Sequence, residues 1–103
     1  MEKWAVIAQY AQGDRYVTDV VSRVTGTRED ALEALRLAAT SYRTPMREKW
    51  REVYRLSGGD SYLVIARGAV SLLETTLSIA ELVHDTKDWD AWPAAPGDRP
   101  PAQ

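Results

Sequence analysis

The residues of this chain best equipped for chemistry are Arg47, Lys49, Arg51, Arg55 and Tyr62, with Arg43 just before them. Cations that can meet phosphates, beside an aromatic ring that can stack on a base, are how several small folds hold single-stranded nucleic acid. The alternative is plainer. Glu48 and Glu52 interleave with the cations, and exposed strands carry Arg and Lys routinely to discourage association along their edges. Nucleic-acid binding is therefore the second of two functional readings.

Other candidate groups are sparse. His84 is the only histidine and there is no cysteine, so a transition-metal site lacks its usual ligands, and disulfides and thiolate nucleophiles are excluded. Near the end of an expected last helix, with Glu81 and Asp85 close by, His84 suits a cation at a helix C-terminus. No G-x-S-x-G elbow is present to support a serine nucleophile. Gly58-Gly59 lacks the flanking pattern of a phosphate loop and serves as turn chemistry. Asp85, Asp88 and Asp90 lack the glycine and distal glutamate of a calcium loop. Glu52 and Glu74 form a carboxylate pair only if the fold brings them together. No catalytic residue, metal or cofactor is assigned.

Charge is unevenly spread although the net value is only −2. From Arg36 to Arg67 seven cations face three acids, a net of +4, whereas Glu74 to Asp98 carries a net of −5. The overall balance argues against bulk attraction to nucleic acid or anionic lipid. A run as short as Trp4–Ala8, flanked by Glu2 and Lys3, predicts neither a signal peptide nor a membrane span, and a cytoplasmic location is expected.

These groups must be positioned by one domain, since 103 residues of which 45% are hydrophobic suffice for a single modest core. Residues 1–85 are expected to form it. Two β-branched and aromatic runs around Gln12-Gly13-Asp14 predict a first hairpin, with Trp4, Val6, Ala8, Tyr10, Val17 and Val21 on one face and Ala5, Ile7, Tyr16, Thr18 and Val20 on the other. Thr27-Arg28-Glu29-Asp30 begins a helix that runs to about Tyr42, and Leu32, Leu35, Ala39 and Tyr42 make its buried stripe.

The stretch from Arg47 to Arg67 predicts a second hairpin turned by Gly58-Gly59, pairing Tyr54 with Leu63, Arg55 with Tyr62, Val53 with Val64 and Trp50 with Arg67. Its Trp50, Tyr54, Leu56, Leu63, Ile65 side is expected to hold the helix, leaving Arg51, Arg55 and Tyr62 outward. Next come a strand over 70–77 and, from the S-x-x-E box at Ser78–Glu81, a short helix over 79–85. In that register Leu73 lies beside Leu63, and Glu74 comes near Tyr62 and Arg55. A single helix over 69–85, giving two ββα units in tandem, is the alternative. The expected fold is α+β in two layers: an antiparallel sheet of about five strands in ββαββ(β)α order, one main helix on a face, and a short C-terminal helix.

Residues 86–103 are acidic and proline-rich and predict a mostly disordered tail. Trp89 and Trp92 within it are costly to leave in water and suggest docking to the body or to a partner.

At TGTREDALEAL, VYRLSGGDSYLVIARG and LSIAELVHD the chain resembles a group of small uncharacterised proteins of high-GC actinobacteria. A turn-helix, an Arg-rich strand before a Gly-Asp turn, and a T/S-x-A-E-L helix start recur in that group. The resemblance covers residues 4 to 85 and implies a cytoplasmic bacterial protein. It transfers no functional residue.

One helix cannot cover both faces of a sheet that is apolar on both, so something else must cover the remainder. The first functional expectation is accordingly a non-enzymatic interaction or regulatory module, a homodimer or the binder of a protein partner, working through an exposed sheet face and the Trp-bearing tail.

Overall fold

The computed structural model describes residues 2–86 apart from Pro45. Six elements follow in order: β1 (Lys3–Gln12), β2 (Arg15–Thr25), α1 (Arg28–Ser41), β3 (Trp50–Arg55), β4 (Ser61–Arg67) and β5 (Leu72–Glu81). The strands form one antiparallel sheet in the order β2-β1-β5-β4-β3. An α+β protein with a five-stranded antiparallel sheet and one helix on a face is as the sequence predicts.

The first hairpin turns at Gly13-Asp14, because Gln12 pairs with Arg15 and Tyr10 with Val17. Val21 is an extra residue, since Ile7 pairs with Val20 and Val6 with Ser22, and this bulge folds Val21 onto the core. The second hairpin has the expected register, with Tyr54 opposite Leu63 and Trp50 opposite Arg67. Its reversal relies on Gly58 and Gly59, whose φ values of 100° and 78° lie where a side chain would be strained.

Helix α1 starts as the sequence predicts. The Thr27 hydroxyl accepts from the Asp30 N–H at 3.2 Å, and the Asp30 carboxylate accepts from the Thr27 N–H at 2.9 Å, so two orphan donors are satisfied reciprocally. The helix leaves edge strand β2, crosses the sheet and delivers the chain to the opposite edge at β3. Of its buried residues, Leu35, Ala38 and Ala39 pack on Val6 and Ala8 of β1, Val64 of β4 and Leu77 of β5. Small side chains on both layers allow close approach.

Two expectations are corrected. No helix occupies 79–85: Ser78 to Glu81 belong to β5, whose residues 75–81 pair with β1, and residues 82–86 have no regular structure. The single-helix alternative for 69–85 fails for the same reason. Leu73, Thr75, Leu77 and Ile79 alternate onto the helix side, and the exposed edge of β1 supplies a full ladder, which outweighs a local capping motif.

The second correction concerns the faces. The helix covers the Arg51, Val53, Arg55, Tyr62, Val64 side of the second hairpin, and Trp50, Tyr54, Leu56, Leu63 and Ile65 lie on the open side. Leu73 pairs with Ala66 on the helix side rather than beside Leu63, and Glu74 pairs with Ile65 on the open side, away from Tyr62 and Arg55. The predicted tail, with Trp89 and Trp92, lies outside the described residues.

Candidate functional site: the uncovered face of the sheet

The basic constellation expected from the sequence does not assemble on one surface. Arg47 and Lys49 are exposed in the connection before β3, and Lys49 gives its backbone N–H to the Arg67 carbonyl. Arg51 points to the helix side and is fully engaged. Its guanidinium donates to the carbonyl oxygens of Ala39 at 3.2 Å and Tyr42 at 2.5 Å, and to both oxygens of Glu48 at 2.7 Å. Glu48 also accepts from the Thr44 hydroxyl at 3.1 Å. Hydrogen bonds from Arg51 hold the Glu48 carboxyl below its ordinary range, with Thr44 and the Arg51 charge adding to them against the opposing effect of desolvation.

These bonds give Arg51 a structural role at the helix end. Helix α1 has no basic residue in its last turn, so its terminal carbonyls take a cation from β3 instead.

Arg55 and Tyr62 remain neighbours across the β3–β4 ladder, in a shallow groove of about 290 Å³ beside α1 that Leu32 and Arg36 also line. Glu29 and Glu33 share the groove, and Glu33 binds Arg36. A phosphate there meets carboxylates as well as guanidinium groups. At the far side of the helix, Tyr10 donates its hydroxyl to Asp19 at 3.3 Å, and Tyr42 lies close enough to feel both. Burial first, and then the Asp19 charge, pushes the Tyr10 hydroxyl above its ordinary range; burial does the same to Tyr42.

The open face has a different character. Reading across the ladder, Tyr54, Leu63 and Thr76 form one row; Glu52, Ile65 and Glu74 the next; Trp50, Arg67 and Leu72 the last. Trp50 is 47% exposed, Tyr54 49% and Leu72 50%. Ile7 and Val20 lie on the same side across β1 and β2, beyond Thr76 and Ser78 of β5. Below them a half-open cleft of about 700 Å³ is floored by Ala5 and Ala80 and rimmed by Lys3, Arg23, Glu81 and Asp85.

Glu52 and Glu74, the carboxylates that could have formed a catalytic pair, flank Ile65 on this face. They stand two strand spacings apart, roughly 10 Å. Neither lines either of the two clefts described here. His84 is exposed beyond the end of β5 rather than at a helix terminus. Among the described residues no three His, Cys, Asp or Glu side chains come together as metal ligands. No described helix is long and apolar enough to cross a membrane.

The open face is thus the side expected from the sequence to hold the helix, and the side chains of the helix itself fit the other one. An alanine-rich helix stripe, Ala31, Ala38 and Ala39, fits a sheet face of Val and Ala rather than one of Trp, Tyr and Leu.

Comparison with protein-family models, with curated proteins and with solved structures gave no match.

Proposed function

We propose that this chain is a non-enzymatic interaction module whose working surface is the uncovered face of the β3–β4–β5 half of the sheet. The observation that carries the reading is the placement of Trp50 and Tyr54, half exposed, beside Leu63 and Ile65 on a face that no described element covers. Large aromatics grouped on an exposed surface are the side chains that anchor protein interfaces, because each buries a large area at little entropic cost. Trp50, Tyr54, Leu63 and Ile65 line neither of the two clefts described above, whereas an enzyme site needs convergent polar groups in a concavity. The nucleic-acid reading loses its centre, since Arg51 is consumed by α1 and Glu29 and Glu33 share the groove of Arg55 and Tyr62.

A photo-crosslinking residue placed at position 54, in the full chain expressed in its organism of origin, tests the module. The control is position 37, where Leu37 is 54% exposed on the outer side of α1. Covalent adducts to a protein are expected from position 54 and not from position 37. Absence of adducts at both, or equal labelling at the two, counts against the reading.

A further inference from the structure

We infer that the occupant of this face is a second copy of the chain, turned end for end so that each Arg67 enters between the other copy's Glu52 and Glu74. The inference rests on the interaction-module reading and names its partner.

The sheet edges do not invite a partner. Edge strand β2 is bulged at Val21 and carries Arg15, Asp19 and Arg23, and edge strand β3 is six residues long with charges at Arg51, Glu52 and Arg55. Short, bulged or charged edges resist strand addition. Association must then use the face.

The charges on that face are arranged to match a copy of themselves. Glu52 and Glu74 flank Ile65, one on either neighbouring strand, and Arg67 stands two residues further along the strand of Ile65. Ion pairs among the described residues join Arg28 to Asp60, Arg36 to Glu33 and Arg51 to Glu48, and Arg67 and Glu74 take part in none. Consider a two-fold axis lying parallel to the sheet, across the strands, between the Ile65 row and the Arg67 row. It preserves strand order and exchanges the two rows. Each Arg67 then faces the other copy's Ile65 with a carboxylate on either side, a fork that a planar guanidinium can bridge. Two sheets packed face to face lie about 10 Å apart, a gap that an arginine and a glutamate reaching from opposite sides can span.

The same operation places the β4–β5 turn over the row of Tyr54 and Leu63. That turn carries Val70, 93% exposed in the single chain. A contact of this kind is isologous and closes on itself at two copies, as most soluble homo-oligomers do.

Full-length protein in light scattering coupled to size exclusion should show twice the 11.5 kDa chain mass. Arg67→Glu makes the three-residue set wholly acidic, and Glu52→Arg with Glu74→Arg makes it wholly basic. Each variant alone should self-associate at least about ten-fold more weakly than the parent. An equimolar mixture of the two should recover a dimer, because each face then meets its complement. Circular dichroism of each variant verifies folding; if either is unfolded, Arg67→Gln and Glu74→Gln replace it and should weaken association in the same direction.

A parent that stays monomeric at its highest soluble concentration overturns the inference. So do charge variants that dimerise like the parent, and folded variants whose mixture does not associate. A monomeric parent that still crosslinks another protein from position 54 overturns the self-pairing and leaves the module standing. Loss of all crosslinking sinks both.

Discussion

Arg51 of β3 donates a hydrogen bond to the carbonyl oxygen of Tyr42, the residue that caps the C-terminus of α1. One side chain thereby joins the end of the helix to the edge of the sheet and, through Glu48, to the connection between them. Arg51→Ala removes the bonds to Ala39 and Tyr42 and leaves Glu48 without its cation. A loss of about 2–3 kcal/mol is expected from charge-assisted hydrogen bonds of this kind. In thermal unfolding followed by circular dichroism, Arg51→Lys should recover only part of the loss, because an ammonium cannot reproduce the fork.

The Glu48 carboxyl ties the same cluster to pH. Its folded-state pKa is held below the unfolded value, so the stability it contributes is present above the unfolded value and is lost as pH falls through the folded one. Acid should therefore weaken the parent more than Glu48→Gln over that window. Urea midpoints measured from neutral pH down to about pH 3, below the ordinary carboxylate range, would show the two curves converging. Parallel curves would remove Glu48 from the account.

At the opposite pH extreme the tyrosines decide. Tyr10 and Tyr42 are held above the ordinary phenol range, by burial first. Their contribution is complete below the unfolded value and is lost as pH rises through the folded one. Stability should decline above about pH 10, where unfolded tyrosine ionises first. Absorbance titration of Tyr10→Phe should lose one late-ionising phenol and show a shallower alkaline decline.

Gly26 is the hinge between β2 and α1. Its φ is 156°, and a methyl group built there collides with the carboxylate of Asp30, the acid that closes the capping box. Gly26 also gives its N–H to the Glu2 carbonyl at 2.8 Å, and its own carbonyl accepts from the Trp4 indole at 3.3 Å. Gly26→Ala should cost about 1–2 kcal/mol, the usual scale for a lost cap. Asp30→Ala should cost a comparable amount, and the two should not add, because both disturb the same hydrogen bond, from the Thr27 N–H to the Asp30 carboxylate.

Thr75 offers the opposite sign. It is buried under α1 opposite Tyr10 and Val64, and its Oγ1 has no hydrogen-bond partner. Thr75→Val keeps the shape and removes an unsatisfied hydroxyl, so it should stabilise the fold by about 1 kcal/mol. For a domain of this size that is a rise in melting temperature of roughly 4–8 °C.

Much of this molecule is legible in its amino-acid order. Alternating apolar residues around two Gly-Asp turns predict both hairpins, and the pairing of Tyr54 with Leu63 follows from the loop length alone. Thr27 and the acids after it mark the helix start, and the proline after Thr44 lies just beyond its end at Ser41. Those signals are local: backbone conformation at a turn or a cap depends on neighbours in the chain.

Which face the helix covers is not local, and only the tertiary structure decided it. Trp50, Tyr54 and Leu63 are as apolar as Val53 and Val64, so period-two alternation cannot rank the two sides. The choice came from volume, because a helix that presents Ala38 and Ala39 packs closely on small neighbours such as Ala8, Val6 and Val64. The same packing turned Arg51 inward to cap α1 and left Arg67, Glu52 and Glu74 outward. The end of β5 was likewise settled at a distance. Ser78–Glu81 has the letters of a helix cap, but β1 offers it a ladder from Trp4 to Ile7, and a chain takes the pairing that satisfies its backbone.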